Sequence, residues 1–264
     1  MKTSKTETPI FQSACMGACM GATEALVNHP LWTIKTRIQS RLPFSLNPRV
    51  LYSGLGVHCV SSMPLDIIQV TVSRIFFEGR LLEHLQQANR RISAGFLGGA
   101  ISAVVSCPAE MIMTQQQSKE SFVEASRLIL SSGKVSRFFT ALIPTIMREG
   151  VFCCGVFAGV PLIEKKCKEA GLSSLASMSI AGVSSGLLAT VGSQPFDMVK
   201  TIMQSAPLSL PISIRASVHD LYRDFGVRGF FSGMGLRSIR VVSAVFILGN
   251  LNNYLEKTFC VKQN

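Results

Sequence analysis

Hydrophobic residues in this chain come in long blocks, and the blocks are impure. No stretch of about 18 residues is purely apolar. From Phe11 to Ile38, Cys, Met, Leu and Val are interrupted by Gly17, Gly21, Glu24, Asn28 and His29. Such a segment suits a helix that touches lipid on one side and water or protein on the other, because a polar group inside a bilayer needs a partner or a wet cavity. Between the blocks lie polar amphipathic stretches, such as Ser121 to Leu130 and Ile212 to Tyr222, which predict short surface helices. The pattern predicts an all-α membrane protein whose helices line a cavity. The opening residues MKTSKTETPI are polar and lead into no clear apolar core with a small-residue cleavage site, so the start is expected to be retained rather than removed as a signal peptide.

Three prolines organise the sequence. Thirteen and nine residues before Pro30, Pro108 and Pro195 stand Gly17 and Gly21, Gly95 and Gly99, and Gly182 and Gly186; nine residues after them stand Gln39, Gln117 and Gln204. The anchors are 78 and 87 residues apart, so the chain reads as one domain of three tandem repeats, covering about 10–82, 88–168 and 173–260. Each GxxxG places two small residues one turn apart, where a neighbouring helix can approach closely. Each proline removes a backbone hydrogen bond and is expected to kink its helix towards its symmetry mates. Downstream, Tyr52-Ser53-Gly54, Phe139-Thr140-Ala141 and Phe231-Ser232-Gly233 mark the starts of second helices. Each repeat then reads as helix, surface helix, helix, which gives a six-helix pseudo-threefold transmembrane bundle.

Composition narrows the function. The 264 residues carry 26 Lys+Arg against 15 Asp+Glu, a net charge of +11, yet only 16% are charged and the hydrophobic share is 47%. That is too apolar for a basic soluble domain, so a nucleic-acid partner is not expected. The length leaves room for about six membrane helices of roughly 20 to 30 residues. Cys15, Cys19, Cys59, Cys107, Cys153, Cys154, Cys167 and Cys260 stand in apolar context without CxxC or His spacing and read as reduced, buried hydrophobes. With no nucleophile and base constellation, no metal-ligand spacing and no Walker-type glycine loop, neither an enzyme nor a metal or other cofactor is expected.

At offsets +2 and +5 from the anchors stand Trp32 and Lys35, Glu110 and Met113, and Asp197 and Lys200. Here the sequence resembles the mitochondrial carrier family, whose signature is Pro-x-Asp/Glu-x-x-Lys/Arg in three tandem repeats. Pro195-Phe196-Asp197-Met198-Val199-Lys200 matches it in full, and the first two repeats match in part. The resemblance covers nearly the whole chain. It implies a ring of ion pairs that closes the matrix side, with Glu110 paired to Lys200 and Asp197 to Lys35, and with Trp32 and Met113 together in place of the third pair. It also implies that Gln39, Gln117 and Gln204 brace this matrix gate. The family's second ring, which closes the cytoplasmic side, has no counterpart here: Ser73, Val160 and Asn252 stand at its acid positions. A weaker cytoplasmic gate is the expectation.

The family's substrate contacts fall seven residues after the small residue of each aromatic-x-small site, on Ser61 with Ser62, Arg148 with Glu149, and Arg240. An ionisable side chain in a membrane helix usually faces a cavity or a partner, and guanidinium grips carboxylate or phosphate with paired hydrogen bonds. The implied cargo is therefore an anionic or zwitterionic small molecule, with a purely structural Arg148–Glu149 ion pair as the lesser reading. Glu24 could meet a cationic substrate group or a proton, or make an ordinary interhelical hydrogen bond. His29 reads as a packing residue, and Ser61 and Ser62 as substrate contacts or small packing residues. An Arg-Glu pair at the second contact resembles carriers of amino-acid-like substrates, and the run PLWTIKTRIQ resembles the S-adenosylmethionine carrier, while two arginines and the net charge suit ATP or ADP. An adenine-bearing solute, ATP/ADP or S-adenosylmethionine, fits these trends together. An amino-acid carrier is the alternative, and a carrier-fold receptor or leak is the reading from another class. The resemblance further implies a monomer in the mitochondrial inner membrane, with cardiolipin phosphate bound at the helix starts near Gly54, Ala141 and Gly233.

Overall fold

The computed structural model describes residues 10–117, 122–131, 135–206 and 213–260. Six long helices dominate it: α1 (Ile10–Gln39), α3 (Leu55–Glu78), α4 (Gln87–Gln116), α6 (Leu142–Glu169), α7 (Ser174–Ser205) and α9 (Met234–Cys260). Three shorter ones, α2 (Pro48–Leu51), α5 (Phe122–Ser131) and α8 (Ile214–Gly229), lie between the members of each long pair. Four spans are long and apolar enough to cross a membrane among the described residues: α3 together with α2, and α4, α6 and α7. Pro30, Pro108 and Pro195 stand inside helices that continue past them.

The distribution of side chains is inverted relative to a water-soluble protein. Val60, Ile67, Ile143, Met178 and Leu188 are more than half exposed, whereas Asn28, His29, Thr33, Gln39, Thr190, Gln194 and Gln204 are completely buried. Lipid provides no hydrophobic drive that would bring the outer leucines together, so helix contact rests on small residues and on buried hydrogen bonds. The glycine pairs act in this way. A Cβ on Gly95 or Gly99 would collide with the α6 backbone at Cys153 and Glu149, and one on Gly182 or Gly186 would press on Val245 or Val241 of α9. In both repeats the first long helix thus packs, through its GxxxG face, on the second helix of the same repeat. The equivalent side of Gly17 and Gly21 lies outside the described residues. Between repeats, Gly98 of α4 receives Ser73 of α3, and Gly155 and Gly159 of α6 receive Ala189 and Ser185 of α7. With α9 against α1, the six helices close a ring.

Three second helices begin on the same backbone device. Gly54 and Ala141 are the N-caps of α3 and α6, Gly233 directly precedes α9, and each adopts left-handed φ, at 88°, 71° and 75°. Glycine takes this conformation freely, while Ala141 holds it against steric strain. The surface helices depart from the expected plan in two places. The expected starts Ser121 and Ile212 lie outside the described residues, and α8 runs on past Tyr222 to Gly229, across a break at Gly226. In the first repeat the surface helix shrinks to the four residues of α2, because the link after Gln39 is short and holds Pro43 and Pro48.

Candidate functional site

Where α1, α4 and α7 run on beyond their prolines, charged side chains meet at the centre of the bundle. Lys35 Nζ lies 2.5 Å from Asp197 Oδ2, and Lys200 Nζ lies 2.8 Å from Glu110 Oε2. Asp197 is 1% exposed and Lys200 3%, so neither charge has access to bulk water. Such pairs are stable only if their remaining hydrogen-bonding capacity is met. Asp197 receives that help from Gln39, whose Nε2 donates to its Oδ2 at 3.2 Å while Thr201 donates to Gln39 Oε1 at 3.1 Å. Gln117 and Gln204, expected to brace in the same way, instead donate to backbone carbonyls, Ser53 at 3.0 Å and Cys107 at 3.4 Å. The reason for the first is local: Trp32 and Met113 offer no ion pair to brace.

Those two apolar residues are both turned towards the start of α3. Trp32 stacks on His29, with ring centroids 5.4 Å apart, and stands 6.4 Å from His58. Met113 is buried and would touch any side chain placed on Gly54.

Arg148 joins the second contact site to the ion pairs. Its Nη2 lies 2.9 Å from Glu110 Oε1 and 2.5 Å from Glu149 Oε1, and its Nε is 3.9 Å from Asp197 Oδ1. One guanidinium thus faces three carboxylates from three helices, α4, α6 and α7. The second oxygen of Glu149 takes the amide of Gln69 at 3.4 Å. Arg240 lines a small cavity of about 20 Å³ with Trp32, Lys35, Glu110, Arg148, Asp197 and Arg237, and it has no carboxylate partner among the described residues. Ser61 and Ser62 donate their hydroxyls to His58 and Cys59 of their own helix, and Glu24 accepts from Asn28 at 2.9 Å. The structure therefore brings Arg148, Glu149 and Arg240 to the charged centre and leaves Glu24, Ser61 and Ser62 with local partners on α1 and α3.

Sequence reasoning missed Arg237. It is 5% exposed, its Nη2 donates to Ser193 at 2.8 Å, its Nη1 donates to Gln194 at 3.3 Å, and it lies over the Phe152 ring at 5.4 Å. Its spacing was the available signal, since it stands one helical turn before Arg240 inside an apolar block. Asp66 and Gln69 on α3 were missed likewise; Glu24 and Glu149 are the acids whose charge Asp66 feels. Of the positions expected to weaken the opposite gate, Ser73 is buried against Gly98, Val160 is half-buried on α6, and the side chain of Asn252 lies outside the described residues. Cys59, Cys107, Cys153, Cys154 and Cys167 are free thiols. At the surface, Arg41 donates to Asp224 of α8 at 3.1 Å and lies over Phe225, and this hydrogen bond holds the Asp224 carboxyl below its ordinary range.

The family model described as "Mitochondrial carrier protein" matches residues 6–48 and 172–262. The chain is 29% identical to mitochondrial carrier protein PET8 of Eremothecium gossypii, over 91% of this chain and 96% of that one. It is 25% identical to the mitochondrial glycine transporter of Mus musculus, over 88% of this chain and 79% of the relative. A mitochondrial glutathione transporter of Mus musculus is 28% identical over 81% of this chain and 68% of its own length.

Proposed function

The chain belongs to the mitochondrial carrier family, multi-pass transporters of the mitochondrial inner membrane, and on that premise we propose that it moves a solute with an α-amino-acid head by alternating access. S-adenosylmethionine is the adenine-bearing solute of this kind, and simple amino acids form the alternative. The observation that carries the reading is the division of labour between two arginines. Arg148 is occupied by Glu110 and Glu149, while Arg240 lines the same cavity with no carboxylate partner among the described residues. Arg237 on the same lining is taken up by Ser193 and Gln194, which leaves one guanidinium to fit one carboxylate, whereas a nucleotide's row of phosphates calls for several. Glu149, held on its far side only by the Gln69 amide, offers the counter-charge for an ammonium or sulfonium group. The names of the relatives lean the same way, since glycine and glutathione both carry an α-amino-acid group.

Coupling follows from Arg148. A solute that draws Glu149 or Arg148 to itself loosens the hold of Arg148 on Glu110, and so weakens the ion pairs that close the matrix side. Phosphate groups of cardiolipin would sit at the starts of α3, α6 and α9, the positive ends of those helices.

The test is uptake of labelled S-adenosylmethionine, glycine and ATP into liposomes holding the purified carrier, each with and without the same compound inside. Saturable S-adenosylmethionine or glycine uptake that falls at least about tenfold in Arg240→Ala supports the reading. Uptake of ATP alone would transfer the site to nucleotides, and uptake of none would favour a receptor or leak.

A further inference from the structure

Seven residues after the anchor prolines stand Arg37, Gln115 and Ile202. The first two do the same thing. Each reaches into the next repeat and donates to the backbone carbonyl of the glutamine nine places after its proline: Arg37 Nη1 to Gln117 O at 2.8 Å, and Gln115 Nε2 to Gln204 O at 2.7 Å. The third member of the series would reach from residue 202 to Gln39, and isoleucine has no donor to offer. A second tier of contacts thus lies one step beyond the ion pairs, towards the ends of the same helices.

The two tiers are interrupted at different seams. Between the second and third repeats both are present, since Gln115 joins the Glu110–Lys200 pair. Between the third and first, Lys35–Asp197 stands with its Gln39 brace, and Ile202 adds nothing polar. Between the first and second, Trp32 and Met113 replace the ion pair, and here the donor of the second tier is a cation.

Arg37 is fitted to that place. The last carbonyls of a helix have no partner within it and lie at the negative end of its dipole. Gln117 is the C-cap residue of α4, so its carbonyl is such a group, and Arg37 brings a positive charge to it from the last turn of α1. A charge-assisted hydrogen bond is about twice as strong as a neutral one. The guanidinium is held from its other side by its Nε, which donates to Pro43 O at 3.0 Å in the link after α1. The side chain is 9% exposed and pairs with no carboxylate among the described residues, so carbonyl oxygens face its charge. Ser53 of the first repeat meets the same end of α4, donating to Gln116 O at 3.2 Å and accepting from Gln117 Nε2 at 3.0 Å, but these bonds are neutral.

We propose that Arg37 closes the matrix side between the first and second repeats, in place of the ion pair that Trp32 and Met113 cannot form. It is a positioning residue. It is not among the residues that line the cavity at Arg240, and it acts by holding the end of α4 against the end of α1. Parting the two repeats would strip a buried guanidinium of the Gln117 carbonyl, a penalty that separating two apolar side chains does not carry. Each of the three seams then contains a charged tie. The gating half of this inference rests on the transport function proposed above; the tie between α1 and α4 does not.

Three variants separate the tie from ordinary helix stability. Arg37→Ala removes it, Arg37→Gln copies the neutral donor of the second repeat, and Gln115→Ala removes the equivalent bond at a seam that keeps its ion pair. The first measurement needs no transport: hydrogen exchange of the purified full chain in detergent. In Arg37→Ala the backbone amides of 33–39 and of 113–117 should exchange about tenfold faster, with 198–205 within about twofold of wild type. Acceleration confined to 33–39 would make Arg37 a cap of its own helix and overturn the proposal, as would no acceleration. The second measurement is uptake of labelled S-adenosylmethionine and glycine into liposomes with and without the same compound inside. Net uptake relative to exchange should rise about tenfold in Arg37→Ala, because the empty carrier no longer rests behind a closed seam, and by less than about threefold in Arg37→Gln and Gln115→Ala. An unchanged ratio in Arg37→Ala, or an equal rise in Gln115→Ala, overturns the gating role. Paired acceleration of the two helix ends in a protein that takes up neither compound leaves the tie standing and rejects only the transport reading.

Discussion

Two of the seams between the first helices of the repeats are closed by ion pairs, while at the third the matching positions are apolar and Arg37 of α1 donates to the Gln117 carbonyl of α4 at 2.8 Å. Lys35–Asp197 and Lys200–Glu110 are short, buried contacts that need Gln39, Thr201 and Arg148 to satisfy them. Trp32 and Met113 are equally buried and need nothing beyond packing against His29, His58 and Gly54. The difference teaches how a degenerate motif can remain functional. An ion pair reports the loss of one partner as an uncompensated charge, so both members must change together, whereas an apolar closure is tolerant of shape and gives little direction. A gate with one apolar seam keeps its closure and loses part of its specificity for a single closed geometry.

The largest effect should come from breaking an ionic seam. Asp197→Ala leaves Lys35 buried without a partner and frees Gln39. It should destabilise the protein by about 3 kcal/mol or more in a detergent thermal unfolding series. Restoring charge to the apolar seam sharpens the comparison from the other side. Trp32→Asp and Met113→Lys should each destabilise alone, and the double variant should recover at least about 1 kcal/mol of the summed loss in a double-mutant cycle. Smaller again is the difference between braces. Gln39→Ala removes a donor to a buried carboxylate and should cost about 2 kcal/mol, whereas Gln117→Ala, which loses a neutral bond to Ser53, should cost about 1 kcal/mol, both read from the same unfolding series. Least of all is the exposed Arg41–Asp224 pair. Its folded carboxyl titrates below its ordinary range, so its contribution is present at neutral pH and fades as pH falls through that lowered range. Arg41→Ala should leave the neutral-pH melting curve nearly unchanged.

Much of this organisation is legible in one dimension because the repeats fix it by offset. Pro30, Pro108 and Pro195 carry glycines at −13 and −9 and glutamines at +9, and those positions need no knowledge of the third dimension. The offset rule also names Lys35, Glu110, Asp197 and Lys200, which the structure joins in two pairs. What stayed hidden depends on distance between segments far apart in sequence. His58 is unremarkable until α3 lays it beside His29, and Arg237 is one cation in a helix until Ser193 and Gln194 of α7 meet it. The glutamines show the same limit from the other direction. Identical offsets give Gln39 both the Asp197 carboxylate and the Ser232 carbonyl, while Gln117 and Gln204 donate to backbone carbonyls. In the first repeat the surface helix reduced to α2 follows from a short link with two prolines, which a strict repeat plan overrides.

The claim at the centre of the account is that the buried ions form a gate that opens and closes during transport. It is tested most directly by exchanging them. Uptake of the accepted solute into liposomes should be compared for wild type, Lys35→Asp, Asp197→Lys and the double exchange, with each variant shown to be folded by its melting curve. Both single variants should lose at least about a hundredfold, and the double should return to within about tenfold of wild type, because the pair is restored in reverse. A double exchange as inactive as the singles while folded, or singles that transport like wild type, would contradict a gate at Lys35 and Asp197.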